Sequence, residues 1–373
     1  MTLPPPIGRL LTAWALAALV ILLAIPVSIR AWAGFNGLAF LVEFLTDGQR
    51  PWLSRRTPAP VVEPLVAPGV SESTPPDLWH PGGKSHGPWP GLVLIHGLTP
   101  EGKRDARLTW TAGLLARAGV AVAVPELPAL TAQRLRPDDA LVVLDTLERL
   151  AKDPAVRRGP ATVIAVSVGL GPLAVALDEP ALADRVRIVV ALGGYADARE
   201  LVRYFTTGAY SFGGTAGRVD VDPALAGAFL ARNLDLVSDA RDRAAVDTLL
   251  QGRGATADAG SGARAVLAVL QNRDPARVDA LLDALPAATR ELLATLSPAR
   301  HLGRTRTRLL VVHGRNDRAI PFTESLRLAA AVPDRSRLVI VDLVGHVEGQ
   351  APAWRRLTDV VRLWSVCYEL LAG

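Results

Sequence analysis

Short apolar runs alternate with longer segments of helical periodicity from residue 91 onward, and this alternation constrains the fold of the 373-residue chain more than any other feature. Runs that are apolar throughout, with helical segments between them, are typical of parallel strands buried on both faces. The sequence therefore predicts an α/β fold, with a mostly parallel central sheet and helices on both of its faces. The runs lie at 91–95, 120–124, 161–166, 186–192, 309–312 and 338–343.

Two weaker features complete this domain, which we assign to residues 60–373. The apolar pairs Val61-Val62 and Leu78-Trp79 lie in a stretch rich in proline, glycine and serine, and predict poorly marked first strands. No buried apolar run occurs between Tyr195 and about Ser297, where helical patterns flank a glycine-rich piece. We interpret this region, at about 196–298, as an inserted helical cap.

The N-terminal region predicts a membrane anchor. Residues 10–29 are twenty uncharged residues between Arg9 and Arg30, which is enough helix to cross the hydrocarbon core of a bilayer. A cleaved signal peptide is the competing interpretation, since Ala31-Trp32-Ala33 has the small-x-small form of a cleavage site. The length of the apolar segment favours an uncleaved single-pass anchor, which we assign to residues 1–33.

The side of the membrane stays open. Arginines follow the apolar segment and favour a cytoplasmic domain by the positive-inside rule, whereas exported domains behind such an anchor are equally familiar. We assign 34–59 to a juxtamembrane segment and linker. Its apolar part, 34–45, is too short to span again and either lies at the membrane interface or packs on the domain.

Composition excludes several classes of function. Only three of the 41 basic residues are lysines, and the arginines that give the net charge of +5 form no stripe interleaved with aromatic residues, so a nucleic-acid partner is not expected. The single cysteine excludes an intramolecular disulfide. The histidines lack ligand spacing and no dinucleotide fingerprint occurs, so we expect neither a metal nor a cofactor.

A candidate nucleophile, Ser167, follows the apolar run 161–166 in the sequence AVSVG. A strand-to-helix turn with small residues beside the serine matches the G-x-S-x-G nucleophile elbow, in which the hydroxyl is held exposed at the end of a strand. Ala165 replaces the first glycine of that pattern, so the turn by itself is equally compatible with ordinary strand-to-helix geometry.

Partners for a nucleophilic serine occur after later strands. A serine hydroxyl requires a base and the base requires an acid to orient it. Asp317 follows the run 309–312 and His346 follows the run 338–343. The order serine, acid, histidine is the one expected for a hydrolase built on a parallel sheet.

Four motifs in this order make the chain resemble the α/β-hydrolase superfamily, and within it the dienelactone-hydrolase and serine-aminopeptidase-like branches. They are LVLIHGL at 92–98, AVSVG at 165–169, HGRNDRAIP at 313–321 and GH at 345–346, and the resemblance covers about 60–373. Each motif is weak alone, but four at successive strand ends are hard to obtain by chance.

The resemblance implies roles for individual residues. Ser167 would attack a carbonyl carbon, His346 would take and return its proton, and Asp317 would orient the imidazole. The oxyanion hole would use the backbone N–H groups of Val168 and Leu98. Some members of the superfamily place the acid after the preceding strand, and Asp197 is therefore the alternative to Asp317. His96 and His313 are expected to shape the strand ends rather than to transfer protons.

These features together predict a membrane-anchored serine hydrolase that cleaves an ester or thioester through an acyl-enzyme on Ser167. A serine peptidase of the same fold is the alternative within the enzyme class. A non-catalytic binding protein that keeps the fold is the alternative outside it. The expected partners are a small-molecule ester, thioester or amide substrate and the lipid bilayer around the N-terminal helix; the sequence indicates no oligomeric state.

Overall fold

A computed structural model describes residues 30–67, 74–84, 86–182, 184–220, 232–233, 237, 239–250, 259–342 and 353–372, with the backbone alone at 249–250 and 353–356. Eight of its strands form one sheet in the order β1-β2-β4-β3-β5-β6-β9-β10, and β7 pairs with β8 in a separate hairpin. The strands are β1 (Val61–Pro64), β2 (Asp77–His80), β3 (Gly91–Ile95), β4 (Ala121–Val124), β5 (Ala161–Val166), β6 (Val186–Leu192), β7 (Ala209–Phe212), β8 (Thr215–Arg218), β9 (Arg308–Gly314) and β10 (Ser336–Val341).

Within the eight-stranded sheet, every pairing between neighbours from β4 across to β10 is parallel, whereas β2 runs antiparallel to both β1 and β4. The two apolar pairs that predict poorly marked strands do form β1 and β2 at one edge of the sheet. The mostly parallel sheet predicted from the alternation of apolar runs and helices is thus confirmed.

The helices are α1 (30–45), α2 (Ala106–Arg117), α3 (Pro128–Thr131), α4 (Asp139–Lys152), α5 (Leu170–Ala176), α6 (Ala198–Thr207), α7 (Ala240–Leu250), α8 (Ser261–Gln271), α9 (Val278–Asp283), α10 (Ala287–Thr295), α11 (Pro298–Leu302), α12 (Thr323–Ala331) and α13 (Ala353–Leu371).

Alternate residues of each strand enter different cores, as a two-residue strand period requires. Val93 and Ile95 pack in the core that includes residues of α4 and α5, and Leu92 and Leu94 in the core that includes residues of α1, α2 and α13. Helices therefore cover both faces, as predicted.

Helix α1 packs on the domain, which is one of the two roles left open for residues 34–45. The Trp364 indole N–H donates to the Gly34 carbonyl oxygen at 2.7 Å, and a Cβ at Gly37 would lie 3.3 Å from Cys367 Cβ. The Phe44 ring stacks on Trp110 of α2 at 5.6 Å between centroids. The first described helix is therefore wedged between α2 and the C-terminal helix.

The predicted anchor at 10–29 lies outside the described residues. Within the part of the chain that the structure describes, no helix has both the length and the apolar composition needed to cross a membrane.

The inserted region contains a β-hairpin besides its helices. Strands β7 and β8 are joined by Gly213 and Gly214, whose φ angles are +56° and +81°. Two glycines with positive φ are typical of the tight turns that match the twist of a hairpin. Helical periodicity did not predict this element, because its two strands are short and partly exposed. Residues 221–231 of the inserted region lie outside the described residues.

A buried carboxylate attaches the chain after α1 to the helix itself. Glu43 is 2% exposed, and its Oε2 accepts hydrogen bonds from the backbone N–H groups of Leu53 at 2.8 Å and Ser54 at 3.0 Å. We expect Glu43→Ala to lower the free energy of unfolding by about 1–3 kcal/mol, because those donors lose their acceptor. Urea unfolding of the full chain in detergent measures the loss. Gln49→Ala, at an exposed position in the following turn, is the control, and equal midpoints for the two variants would contradict the assignment.

Candidate functional site

Ser167 occupies a strained turn at the carboxyl end of β5. Its φ angle is +55°, and it opens a helical turn, Ser167–Gly169, that continues into α5. A non-glycine residue in this left-handed region is uncommon and persists only where its surroundings hold it. A sharp, strained strand-to-helix turn is the geometry that characterises a nucleophile elbow. The half-buried Ser167 side chain therefore stands where the elbow motif predicts it.

Two glycines make room for this turn. A Cβ at Gly169 would run into the His96 carbonyl oxygen, and a Cβ at Gly97 would lie 3.1 Å from Ser167 Cβ and 3.7 Å from its Oγ. The methyl group of Ala165, by contrast, is fully buried in the core, and β5 continues regularly through Val166. The departure from G-x-S-x-G is therefore accommodated within the sheet. Gly97 is a site residue that the sequence reasoning missed, although its place in the His-Gly pair after β3 is the signal that marks it.

The two predicted oxyanion residues both lie beside Ser167. Val168 is in the first turn of the helix, where backbone N–H groups have no acceptor within the helix and carry partial positive charge. Leu98 follows Gly97, which contacts Ser167. The structure thus brings Ser167, Val168 and Leu98 to one place at the carboxyl edge of the sheet.

His96 is buried and uses both ring nitrogens in structural hydrogen bonds. Its Nε2 accepts from the Leu127 backbone N–H at 3.2 Å, and its Nδ1 lies 2.7 Å from the Gly97 carbonyl oxygen. These partners assign the proton to Nδ1, since Nε2 acts as an acceptor. His96 joins the loop after β3 to the loop after β4, which is the loop-shaping role expected for it.

Asp317 follows β9 at the same edge. Its Oδ1 accepts hydrogen bonds from the backbone N–H groups of Ala319 at 2.8 Å and Ile320 at 3.2 Å. Its Oδ2 faces Gly193, at the end of β6, where an added Cβ would lie 3.4 Å away. Because β6 lies directly beside β5, this carboxylate stands next to the neighbour of the nucleophile strand.

Asp197, the alternative acid, caps a helix. Its Oδ1 accepts from the Arg199 backbone N–H at 2.8 Å at the start of α6, and the Ser297 hydroxyl lies 3.4 Å from the same oxygen. A carboxylate engaged in this way stabilises the helix N-terminus. The choice of Asp317 over Asp197 as the acid stays a prediction.

The expected base, His346, lies within 343–352, outside the described residues. The strand that leads to it, β10, pairs with β9 in parallel, so residue 342 lies at the same edge as Asp317. The Arg315 backbone N–H donates to the Val341 carbonyl oxygen at 2.8 Å, which joins the ends of the two strands. The role of His346 stays a prediction.

The inserted region reaches the loop after β4. Asn233 Oδ1 accepts from the Leu135 backbone N–H at 2.9 Å, and Arg134 Nε donates to the Arg232 carbonyl oxygen at 3.1 Å. The insertion leaves the sheet after β6, whereas residues 134 and 135 follow β4, so these two hydrogen bonds join segments that belong to different parts of the sheet.

Among the residues that the structure describes, no group of three His, Cys, Asp or Glu side chains is arranged to hold a metal ion.

Two buried side chains support the loop after β9, which carries Asp317. The Tyr204 hydroxyl donates to the Arg318 carbonyl oxygen at 2.7 Å, and burial, together with the charge of Asp317, raises the pKa of this phenol to about 12. His313 is fully buried, with Nδ1 2.6 Å from the Ser325 hydroxyl and Nε2 3.0 Å from the Ile320 carbonyl oxygen. Burial lowers the pKa of His313, and the neighbouring Asp317 carboxylate only partly opposes this. Both side chains are therefore uncharged near neutral pH and hold the loop through hydrogen bonds.

His313 makes stability sensitive to acid. An unfolded histidine binds a proton below a pKa of about 6.5, whereas the buried His313 resists protonation, so its contribution to stability is present above that pH and is lost as the pH falls. We expect urea midpoints to fall less between pH 7.5 and 5.5 in His313→Gln than in the unmodified chain. Other buried groups, such as Glu324, whose pKa is raised by burial, contribute equally to the pH dependence of both proteins, so the difference between the two slopes reports on His313. Identical pH slopes would contradict the assignment.

Comparison with known proteins gives similarity in structure alone: no protein-family model and no curated protein matches the sequence. The chain is similar to the acylaminoacyl peptidase of Pyrococcus horikoshii, with 14% identity over 83% of this chain and 40% of that one and a TM-score of 0.44. It is similar to a 2,6-dihydroxy-pseudo-oxynicotine hydrolase, with 14% identity over 96% and 85% of the two chains and a TM-score of 0.46. It is also similar to a meta-cleavage product hydrolase of Pseudomonas fluorescens, with 18% identity over 76% and 91% and a TM-score of 0.39. The chain thus spans less than half of the length of the peptidase and most of the length of the two hydrolases.

Proposed function

We propose that this protein is a serine hydrolase of the α/β-hydrolase type, which transfers the acyl group of a carboxylic ester or thioester to water through an acyl-enzyme on Ser167. The observation that carries the proposal is the left-handed backbone of Ser167, with φ +55°, at the junction of a buried strand and a helix N-terminus. Backbone strain of this kind clusters at active sites, and here it lies at the edge where the other candidate residues meet.

In the first step the Ser167 Oγ attacks the substrate carbonyl carbon while His346 accepts the hydroxyl proton. The oxygen of the tetrahedral intermediate takes the negative charge and accepts hydrogen bonds from the Val168 and Leu98 backbone N–H groups. The C–O or C–S bond then breaks, and His346 returns the proton to the leaving alcohol or thiol. The product of this step is an ester of Ser167.

Water completes the reaction. His346 takes a proton from the water as its oxygen attacks the acyl carbon, and the proton passes to Ser167 Oγ as the carboxylic acid leaves. Asp317 keeps the imidazole in one tautomer and orientation throughout. Two backbone N–H groups hold Oδ1, whereas Oδ2 faces the end of β6 and lies 3.5 Å from His313 Nε2.

The proposal includes the membrane. Residues 10–29 span a bilayer once, and the domain that begins with α1 is held at its surface. The packing of α1 between α2 and α13 supports this arrangement, because α1 begins at residue 30, next in sequence to the proposed span.

The nucleophile is tested with a fluorophosphonate probe, which reacts with activated serines. We expect the full chain in detergent to be labelled at Ser167 and the Ser167→Ala variant to remain unlabelled. Ser211→Ala, which changes an exposed serine in β7, is the matched control and should label like the unmodified chain. Labelling that survives Ser167→Ala would sink the proposal, as would a folded chain that never reacts.

The acid is tested by two matched amide substitutions. We expect Asp317→Asn to lower kcat/KM for a short-chain ester by about 10³–10⁴-fold, because the amide favours the wrong tautomer of the base. Asp197→Asn should change it by less than about 10-fold, since asparagine is also a good helix N-cap. The opposite ranking would assign the acid role to Asp197.

A further inference from the structure

A cluster of aromatic and arginine side chains surrounds the start of α1. Trp32 and Phe35 are 46% and 52% exposed, and Trp52 is 45% exposed. The Arg56 guanidinium lies 4.1 Å from the centre of the Phe35 ring, and its Nε donates to the Trp52 carbonyl oxygen at 2.7 Å. We call the following six residues the collar: Arg30, Trp32, Phe35, Trp52, Arg55 and Arg56.

The collar carries positive charge without acidic neighbours in its own stretch of chain. Residues 30–57 contain two carboxylates, of which Glu43 is buried and hydrogen-bonded. The other, Asp47, follows the opposite end of α1, about 20 Å along the helix from Trp32. Among the ion pairs formed by described residues, none includes Arg30, Arg55 or Arg56, so this surface presents unneutralised guanidinium groups next to exposed rings.

The collar lies at the edge of the sheet opposite the candidate active site. The Trp32 ring packs over Gly119, where an added Cβ would lie 2.8 Å from the indole, and Gly119 lies two residues before the amino end of β4. Strands β4, β3 and β5 are parallel, and Ser167 follows the carboxyl end of β5. Six residues of β5, at about 3.3 Å per residue, separate the two edges by roughly 20 Å.

We propose that the collar rests in the headgroup layer of a bilayer that contains anionic lipids, and that the active site therefore opens away from the membrane, toward water. Tryptophan is enriched at membrane interfaces, and arginine is attracted to anionic headgroups. This inference rests on the proposed membrane anchor. The expected substrate is then an ester or thioester that reaches Ser167 from the aqueous phase. A lipid of the bilayer that holds the protein is not expected to be the substrate.

A bilayer is the occupant that the chain itself indicates. The uncharged segment 10–29 is joined directly to Arg30, so the surface of a spanned membrane lies within a few residues of Trp32. A protein partner or a second copy would have to displace headgroups from the place where the anchor emerges.

The test uses the full chain in vesicles with a nitroxide on the lipid headgroup. Fluorophores are attached to Ala31→Cys, beside the collar, and to Ala132→Cys, at the opposite edge; both positions are exposed, and the native Cys367 is buried. We expect the label at 31 to be quenched at least about 3-fold more strongly than the label at 132. Equal quenching, or stronger quenching at 132, would overturn the inference.

A charge comparison tests the role of the arginines. Phosphatidylglycerol should increase quenching at position 31 over phosphatidylcholine alone, and the triple change Arg30→Gln, Arg55→Gln and Arg56→Gln should remove most of that increase. The same charge change in the cap, at Arg241, Arg277 and Arg290, is the control and should leave it intact. An increase that survives the collar variant would contradict the assignment of lipid contact to these arginines.

The outcomes separate this inference from the proposals beneath it. A chain that does not float with vesicles overturns the anchor and the inference together. A chain that floats and is quenched at position 31, but does not react with fluorophosphonate, overturns the hydrolase proposal and leaves the membrane contact supported.

Discussion

The left-handed backbone at Ser167 is the constraint around which the carboxyl edge is built. A non-glycine residue in this conformation costs on the order of 1–3 kcal/mol, so the surrounding packing must hold it in place. Strand β5 supplies that packing, because it lies between β3 and β6 and its first five residues are buried. Gly97 and Gly169 then leave the space into which the turn folds. The position of the candidate nucleophile is thus set by the centre of the sheet.

Buried polar side chains tie the loops of this edge to one another. Asp139 accepts hydrogen bonds from the Ala129 and Leu130 N–H groups, and Glu324 accepts from those of Ala196 and Asp197. Burial raises the pKa of both carboxyls. Together with His96, these side chains connect the loops after β3, β4 and β6 to neighbouring helices. Substrate groups and catalytic residues would therefore meet on loops whose backbones are already fixed.

The sequence predicted the features that leave a pattern within one stretch of chain, such as an apolar run or a motif after a strand. Uniformly apolar runs predicted the parallel strands, and the order of motifs predicted that Ser167 and Asp317 share an edge. Contacts between distant segments carry no such pattern. The approach of Gly97 to Ser167 and the wedging of α1 between α2 and α13 depend on which surfaces meet after folding. The β7–β8 hairpin was missed because four-residue strands hardly exceed the length of a turn.

The attachment of the last helix fixes the end of β10. The Asp342 backbone N–H donates to Asp359 Oδ2 of α13 at 2.7 Å, and α13 is in turn fixed by its contacts with α1. Residue 342 lies at the same edge of the sheet as Asp317, because β10 pairs with β9 in parallel. The packing of the first described helix is therefore connected, through α13 and the end of β10, to the edge of the sheet that carries the candidate active site.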